Sequence, residues 1–485
     1  MYAHLRPQLE KIKEHSVLCI GDIMLDRFVY GHVERISPEA PIPVLRLERE
    51  EISLGGCGNV VQNIVTLGGH VDILSVIGHD QAGYDLSEQI SGMEQVVSYL
   101  ITDNARPTTI KTRFVADGQQ LLRSDREVSH ALSDSIEEQM LVRIRNALTA
   151  CDIIILSDYA KGVLTDKVIR ETLALAKENN KKVIIDPKGR DFSKYNGAFI
   201  LTPNRKELAE ATGMTIRNVS DAENAARHLI AEHNLEGVLA KLSSDGVCLI
   251  MKDQPAHHFQ AMPREVFDVS GAGDTVVATL ALCMAAGLSL EDSAALANVA
   301  GSIVVSKVGT ASVSLQELAK ELQQNQSRLS EEKIVTPEQA TEACERWRKM
   351  GLKVGFTNGV FDLLHPGHLS LLHEAKASCD KLVVGINSDA SVKRLKGEKY
   401  PLQNQQARAA VLASMAAVDI VVIFNEDTPV ELIKTTRPMV LIKGANYTVE
   451  TSVGSDFVQS WGGQTLLAKL LEGHSTTLLH EKMKQ

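Results

Sequence analysis

The segment DVSGAGDTVVATLAL, residues 268–282, places a glycine-rich turn directly before a long apolar run of helical character. Glycines let the backbone approach a phosphate closely, and the free amides at a helix start stabilise negative charge. Gly271, Ala272 and Gly273 are therefore predicted to form an anion hole for a phosphoryl group in transfer. Asp274 is then predicted to be the general base that takes the proton from an attacking hydroxyl. Taken alone, the same turn could simply start and cap a helix.

Short apolar runs rich in β-branched residues alternate with helical stretches from about residue 17 to residue 311. Examples are VLCIGD at 17–22, IIILSD at 153–158 and VIID at 183–186. Continuous apolar runs of this length are typical of buried parallel strands. Several end in aspartate, and the carboxyl ends of the strands form the ligand crevice of an open α/β sheet. The pattern predicts an α/β domain whose crevice carries these polar groups.

Two stretches interrupt the alternation. Residues 27–53 are rich in Val, Ile and Pro, and within residues 108–126 the runs TIKTRFVA and QQLLRS flank Asp117-Gly118. Asp-Gly between strand-like runs is a strong hairpin signal. The two stretches predict a small β-layer over the crevice, acting as a lid or a dimer contact. Its apolar edge strands favour a homodimer.

A second chemical centre is indicated by TNGVFDLLHPGHLSLL at 357–372. His365 and His368 are three residues apart, so at a helix start they project to one side. Two imidazoles there could donate to phosphate oxygens and stabilise a pentacoordinate transition state. Chance surface histidines or a zinc pair are the alternatives, but no third ligand stands at a familiar zinc spacing. NSDASVKRLKG at 387–397 follows the next strand, as a nucleotide-contacting loop would.

The joint between the two halves is predicted from helix signals. Ser314 and Glu317 form a capping box that opens a helix to about residue 324, and residues 325–332 are then polar without a core pattern. Thr336 and Gln339 begin another capped helix. The predicted bounds are 1–318 for the first domain, 319–344 for a linker and connecting helix, and 345–485 for the second domain.

Composition bounds the class of protein. The 485 residues, 44% hydrophobic and 23% charged, are balanced like a packed globular protein. A net charge of −10 argues against broad binding to nucleic acid or to an anionic membrane. Seven scattered cysteines without a C-x-x-C pair favour reduced thiols. The charged first 14 residues lack a signal-peptide core, and the longest apolar stretch is too short to span a bilayer, so we expect a cytoplasmic protein.

The first half resembles the ribokinase-like carbohydrate kinases across roughly 310 residues. Besides the GAGD turn, GGCGNVVQNIVTLG starts a second glycine-led helix, and an N-x-x-E element follows the strand FILTP. The resemblance implies that Asp274 is the base, that the N-x-x-E element lies by the nucleotide phosphates and magnesium, and that the early motifs meet the sugar. KLSSDG at 241–246 departs from the family's T-x-G-x-x-G. The implied site residues are Asp22, Gly55, Gly56 and Asn59 for the sugar, Asn204, Arg205, Lys206, Glu207 and Asn298 for ATP, and Glu207 for Mg²⁺.

The second half is similar to the HxGH nucleotidyltransferases across roughly residues 345–480. The resemblance implies that His365 and His368 orient the nucleoside triphosphate and that a sugar phosphate oxygen attacks its α-phosphate directly, with pyrophosphate leaving. The further nucleotide contacts that it implies are Asn358, Lys393, Arg394, Arg408, Ser475, Thr476 and Thr477. KGANY at 443–447 departs from the family's KGGDY and places Asn446 where an acidic residue is usual.

The two halves together, with GDIMLDRF, RISPEAPIPV, LSDYAKG and DPKG, resemble the bifunctional heptose-phosphate kinases and heptose 1-phosphate adenylyltransferases. That resemblance implies ATP-dependent phosphorylation of heptose 7-phosphate at O1 and formation of ADP-heptose for the lipopolysaccharide core. It implies sugar phosphates and ATP as partners. Possible donors to the substrate's own phosphate are Lys111, Arg113, Lys161 and Lys188. A kinase fused to a cytidylyltransferase for another polyol phosphate, a binding module and a scaffold are the alternatives.

Overall fold

The computed structural model describes residues 3–262, 265–307, 309–444, 448 and 451–468. The chain divides into two compact units, Tyr2–Leu322 and Gln323–Gln485. Each unit is built around its own sheet. Within the described residues, none of the helices combines the length and apolar character that a membrane span requires.

The first unit is built on a nine-stranded sheet with the order β13-β12-β11-β10-β9-β8-β1-β4-β5. From β11 to β5 neighbouring strands run parallel, and β12 and β13 add an antiparallel edge. The predicted runs at 17–22, 153–158 and 183–186 fall in β1, β8 and β9, which confirms them as parallel strands. The strands are β1 Ser16–Gly21, β4 His70–Gly78, β5 Val96–Asp103, β8 Ile153–Ser157, β9 Lys182–Asp186, β10 Ile200–Leu201, β11 Gly237–Lys241, β12 Val247–Met251 and β13 His257–Phe259.

Helices cover both faces of this sheet, which is why its strands are apolar throughout. Along β1, Val17 and Cys19 pack into one core, whereas Leu18 and Ile20 pack into the other. The helices are α1 Cys57–Thr66, α2 Gln81–Ser91, α3 Asp134–Ala147, α4 Asp166–Glu178, α5 Arg205–Thr212, α6 Val219–Glu232, α7 Ala272–Ala285 and α8 Leu290–Val304, with 3₁₀ segments at Ala3–Glu14, Ser193–Tyr195 and Ser243–Asp245.

The predicted β-layer is a separate four-stranded sheet with the order β3-β2-β6-β7. Its strands are β2 Ile23–Ile36, β3 Pro43–Gly56, β6 Thr109–Ala116 and β7 Gln119–Arg126. The predicted Asp-Gly hairpin joins β6 to β7, and Asp117 and Gly118 both have positive φ, at 49° and 79°. The β2 strand starts two residues after β1 ends, and β3 leads directly into α1, so this sheet is anchored at the carboxyl edge of the main sheet.

The segment predicted as a polar linker is helical. Helix α9 runs from Leu315 to Glu332, so it continues through residues 325–332, where we expected the helix to have ended. That stretch lacks Gly and Pro and contains Gln, Arg, Leu and Glu, which have good helix propensity, so absence of a core pattern does not stop the helix. The Ser314–Glu317 capping box that opens it is confirmed.

The second unit has a six-stranded sheet with the order β14-β17-β16-β15-β18-β19, and every described pair is parallel. Its strands are β14 Ile334–Val335, β15 Val354–Gly359, β16 Lys381–Asn387, β17 Ile420–Phe424, β18 Val440–Gly444 and β19 Gln464–Ala468. Its helices are α10 Pro337–Lys349, α11 Pro366–Ala377, α12 Asp389–Lys396, α13 Gln405–Ala413, α14 Val430–Thr436 and α15 Ser455–Ser460. The predicted capping box at Thr336 and Gln339 opens α10.

Candidate active sites

Asp274 lies in the first turn of α7, behind Gly271, whose φ of 78° starts the helix. Its carboxylate is only 5% exposed. Oδ1 accepts a hydrogen bond from the Tyr159 hydroxyl at 2.5 Å, and Oδ2 accepts one from Asn59 Nδ2 at 2.6 Å. Burial and then the charge of Asp186 raise the pKa of Asp274 to about 6, although both hydrogen bonds act to lower it. A carboxyl group poised near neutral pH in a crevice suits proton transfer.

The glycines before α1 let this helix start approach the crevice. Gly56 has φ 60°, and a Cβ there would lie 2.3 Å from the Asp22 carbonyl oxygen. A Cβ on Gly55 would lie 2.6 Å from Asp26 Oδ2, and one on Gly271 would lie 2.6 Å from Asn59 Nδ2. The structure therefore brings Asn59, the predicted sugar residue on α1, next to the predicted anion turn.

Asp22 has a different role from the sugar contact that we expected. Its carboxylate is 1% exposed and accepts three backbone N–H bonds, from Tyr159 at 2.9 Å, Lys161 at 3.1 Å and Val163 at 3.0 Å. Its oxygens are occupied because the loop after β8 folds over the end of β1. Asp22 therefore fixes the loop that carries Tyr159. The buried carboxylate that faces Gly55 is Asp26, which pairs with Arg113 at 2.6 Å.

Two ion pairs line the same pocket as Asp274, which has a volume of about 160 Å³. Lys241 Nζ lies 2.5 Å from Asp186 Oδ1, and Lys188 Nζ lies 2.8 Å from Glu207 Oε1. Burial acts to lower the pKa of Lys241, but the carboxylates of Asp186 and Glu207 outweigh it and raise that pKa, so the ammonium stays charged. Asp186 ends the run VIID, one of the aspartate-ended runs that were predicted to face the crevice, whereas sequence reasoning missed Lys241, the last residue of β11.

The N-x-x-E element is the capping box of α5. Asn204 Oδ1 accepts the Glu207 N–H at 2.9 Å, and Glu207 Oε2 accepts the Asn204 N–H at 2.9 Å. Both residues line the pocket. Arg205 turns away to Asp245 and the Leu242 carbonyl oxygen, and Lys206 extends into solvent. The structure thus separates these two cations from the pocket.

Asn298 is buried on α8, and its Nδ2 donates to the Gln260 carbonyl oxygen at 2.8 Å. The cations considered for the substrate's own phosphate lie in three places. Lys111 and Lys161 share Glu127, at 3.4 and 2.8 Å. Arg113 pairs with Asp26 under the β-layer, and Lys188 borders both the Asp274 pocket and a wider one of about 520 Å³.

In the second unit the two predicted histidines stack on each other. His365 is the N-cap of α11 and Pro366 its first residue, so the two histidines stand at a helix start, as predicted. The ring centroids of His365 and His368 are 3.8 Å apart, with 26° between the ring planes. Burial and then the neighbouring His365 lower the pKa of His368 to about 4, so this imidazole is neutral at pH 7 and carries one N–H. The Phe361 ring packs beside it at 5.0 Å.

Lys393 and Arg394 lie on α12, each about half exposed. Arg394 donates to Asp427 Oδ1 at 2.8 Å and to the Asn425 carbonyl oxygen at 2.6 Å, so it holds the loop after β17. Lys393 has only a loose pair with Glu398 at 3.5 Å. Of the two, Lys393 is the more available for a phosphate.

Arg408 departs from the phosphate contact that we expected. Its side chain is fully buried, and its donors bind the carbonyl oxygens of Gln403, Val360 and Asn387 and the carboxylate of Asp389. Because the guanidinium is enclosed by these groups, Arg408 joins the loops around the crevice. The predicted contacts Ser475, Thr476 and Thr477, and also Asn446, lie outside the described residues.

A lysine that sequence reasoning missed lies opposite Asn358, one of the predicted nucleotide contacts. Lys443, the penultimate residue of β18, donates from Nζ to Oδ1 of Asn358, the penultimate residue of β15. Lys443 is 7% exposed, and burial lowers its pKa to about 8. The sequence signal for Lys443 is the KG of KGANY.

Comparison with known proteins assigns both halves to families. The family model for pfkB family carbohydrate kinases matches residues 14–318, and the cytidylyltransferase-like model matches residues 356–479. The bifunctional protein HldE of Paramagnetospirillum magneticum is 52% identical over 476 residues, which cover 98% of each chain. The bifunctional protein HldE of Caulobacter vibrioides is 50% identical over 469 residues, 96% of each chain.

Solved structures share the fold of the first unit. The structure of phosphofructokinase-2 from Escherichia coli in complex with potassium superposes with a TM-score of 0.54 at 20% identity, covering 64% of this chain and 98% of that one. Arabidopsis thaliana ribokinase complexed with ribose and ATP gives a TM-score of 0.50 at 22% identity, with coverage of 64% and 98%. The ribokinase-like fold predicted from the sequence is confirmed.

Proposed function

This chain belongs to the family of bifunctional HldE proteins, a carbohydrate kinase joined to a nucleotidyltransferase, and we propose that both activities act on heptose phosphates. The first site phosphorylates heptose 7-phosphate at O1 with ATP. The second site transfers AMP from ATP to heptose 1-phosphate and so forms ADP-heptose for the lipopolysaccharide core. The motif strings GDIMLDRF, LSDYAKG and NSDASVKRLKG support this choice of substrate.

The observation that carries the kinase proposal is the buried Asp274 carboxylate in the first helical turn after the glycine-rich turn. The O1 hydroxyl of the sugar gives its proton to Asp274, its oxygen forms a bond to the γ-phosphorus, and the bond to the leaving ADP oxygen breaks. Tyr159 and Asn59 orient the carboxylate. The amides of the glycine turn and the Lys241 ammonium stabilise the charge on the transferring group.

Mg²⁺ is part of the proposal for this site. The pocket offers the carboxylates of Glu207 and Asp186, and Mg²⁺ is commonly bound by one or two carboxylates together with substrate phosphates. These two residues would hold the ion, which would neutralise charge on the nucleotide phosphates. Their ion pairs with Lys188 and Lys241 place both signs of charge where phosphates and metal are expected.

In the second site an oxygen of the sugar phosphate attacks the α-phosphorus, and the bond to the pyrophosphate oxygen breaks. No covalent intermediate is needed, so the protein acts by positioning and by charge stabilisation. His365 and His368 stand at the N-terminus of α11, where phosphate oxygens are favoured. The neutral His368 ring carries one N–H, and this ring also hydrogen-bonds the Leu363 backbone.

The two sites work on different sugar phosphates. The proposed kinase product carries phosphates at both O1 and O7, whereas the proposed transfer substrate carries a phosphate at O1 alone. A separate phosphatase reaction must therefore remove the 7-phosphate between the two steps. Direct transfer of the intermediate between sites is not required.

A cytidylyltransferase for another polyol phosphate is the second candidate for the carboxy-terminal half, and the match to the cytidylyltransferase-like family favours it. The two candidates differ in the base of the nucleotide. Competition between ATP and CTP at equal concentration separates them, because an adenylyltransferase makes the ADP-sugar in excess.

We also propose a homodimer and a cytoplasmic location. Ile36, Leu47 and Leu122 of the β-layer are each more than half exposed, which supports a partner for that sheet. Light scattering that finds only monomer at working concentration would contradict the dimer. All seven cysteines are free thiols, as is usual in a reducing compartment.

Phosphorus NMR of the purified protein tests the substrates directly. With Mg²⁺, ATP and heptose 7-phosphate, we expect the signals of the 1,7-bisphosphate and ADP. With heptose 1-phosphate, we expect ADP-heptose and pyrophosphate. Absence of both products would overturn the heptose assignment, and a panel of other sugar phosphates with ATP or CTP would then identify the substrates.

A further inference from the structure

The strand order of the second sheet creates a topological switch point between β15 and β18. From β15 the chain passes through α11 to β16 on one side, whereas β18 pairs with β15 on the other side. Ligands of open α/β sheets bind outside the carboxyl ends of the strands at such a switch point. Asn358 and Lys443 are the penultimate residues of these two strands, one residue beyond the Thr357–Ile442 pair.

Lys443 carries a buried charge at this switch point. Its side chain is more than nine-tenths buried, and its ammonium donates to the neutral Asn358 amide oxygen. In the part of the chain that the structure describes, no carboxylate pairs with Lys443. A buried ammonium without a counter-ion is costly, so proteins pair such charges or place them where a ligand supplies the opposite charge.

The ligand chemistry follows from the neighbours. Helix α11, whose N-terminus carries His365 and His368, begins seven residues after β15 ends. A helix N-terminus and histidine N–H groups favour phosphate oxygens, and the ammonium adds a full positive charge at the same edge of the sheet. Burial alone lowers the pKa of Lys443, and a bound anion would raise that pKa again.

We propose that Lys443 is a further catalytic residue of the nucleotidyltransferase site, where its ammonium binds phosphate oxygens at the point of transfer. These oxygens belong either to the α-phosphate of the nucleotide or to the phosphate of the acceptor. The inference rests on the proposed function only for the identity of the acceptor.

Two substitutions separate this role from a structural one. Lys443→Met removes the charge and keeps an apolar side chain of similar length. Lys443→Gln also removes the charge but can still donate to Asn358 Oδ1. Lys434→Met is the matched control, since Lys434 lies partly exposed on α14 and pairs with Glu431. Kinase turnover by the same preparation reports whether the rest of the chain is intact.

We expect both Lys443 variants to lose about 100-fold or more in kcat/KM for nucleotidyl transfer, the usual effect of removing one transition-state donor. Their unfolding temperature should equal or exceed that of the unmodified protein, because the buried charge is gone. A structural lysine would give the opposite result, a lower unfolding temperature in Lys443→Met with Lys443→Gln close to normal. Wild-type transfer by Lys443→Gln overturns the proposal.

Calorimetric titration identifies which phosphate is bound. α,β-Methylene ATP and heptose 1-phosphate are titrated separately into a variant with Asp274→Asn and Asn59→Ala, which disable the kinase, and into the same variant with Lys443→Met added. Weaker binding of the first ligand assigns Lys443 to the nucleotide, and weaker binding of the second assigns it to the acceptor. If the unmodified protein does not use heptose 1-phosphate, the proposed acceptor is wrong. Titration of α,β-methylene ATP and of inorganic phosphate then tests whether Lys443 binds phosphate oxygens. Unchanged affinity for every ligand tested would overturn the inference.

Discussion

Replacing Tyr159 by Phe removes one hydroxyl group that donates to Asp274 at 2.5 Å. The change keeps the ring, and Asn59 still donates to the other carboxylate oxygen. A hydrogen bond to a charged acceptor contributes about 1.5–3 kcal/mol, and one pKa unit corresponds to about 1.4 kcal/mol. We therefore expect the pKa of Asp274, raised to about 6 in the unmodified protein, to rise further by roughly one to two units in the variant.

The sign of the effect on activity follows from the role of the base. Asp274 accepts a proton only as the carboxylate, so kcat/KM for the kinase rises with pH through the pKa of this group. Because the Tyr159 hydroxyl stabilises the carboxylate, its loss moves that acid limb to higher pH. At pH values below the limb, kcat/KM should fall by about 10- to 100-fold, because a pKa rise of one to two units reduces the carboxylate fraction of Asp274 by that factor. Above the limb, activity should approach that of the unmodified protein.

The assay is kinase turnover from pH 5 to 9 at saturating Mg²⁺ and ATP, with the sugar phosphate well below its KM. Tyr84→Phe serves as the control, since Tyr84 is exposed on α2, away from Asp274, and its ring lies 5.8 Å from the His79 ring. Nucleotidyl transfer by the same sample should be unchanged. A Tyr159→Phe variant that loses activity equally at every pH, with its acid limb unmoved, would refute the hydrogen-bond argument.

Two other substitutions test the packing of the sites. Gly271→Ala places a Cβ 2.6 Å from Asn59 Nδ2 at a φ of 78°, so Asn59 must move away from Asp274. Kinase kcat should then fall about 100-fold while nucleotidyl transfer stays intact. An unchanged kinase kcat would contradict the proposed role of the turn. Arg408→Met removes the partner of Asp389 and of three carbonyl oxygens, and chemical denaturation should show that the second unit loses about 3–5 kcal/mol. A normal unfolding free energy with a raised KM for ATP would instead restore Arg408 as a phosphate contact.

The fold was largely predictable because its signals are local. Apolar runs that end in aspartate predicted the parallel strands, and Asp117-Gly118 predicted the β6–β7 hairpin, because backbone conformation there depends on adjacent residues. The helix starts at Ser314 and Thr336 follow from side chains that bond three residues away. The error at residues 325–332 arose because a lack of apolar periodicity was taken for a lack of helix.

The candidate sites were harder because their contacts span long sequence separations. Asn59 and Asp274 are 215 residues apart, and Tyr159 and Asp274 are 115 apart. Motifs identified Asp274, but no local pattern shows which distant groups hold it. Residue type was also insufficient for Asp22 and Arg408, whose polar atoms are used inside the protein. A carboxylate or guanidinium in a motif can position a loop as readily as it can bind a ligand.

The claim that one chain carries two independent phosphoryl-transfer sites is tested most directly by phosphorus NMR of two variants. Asp274→Asn should lose formation of the sugar bisphosphate and retain that of the nucleotide sugar. His365→Ala should show the reverse. If either substitution abolished both products while the protein remained folded, the two sites would not be independent, and the claim would be contradicted.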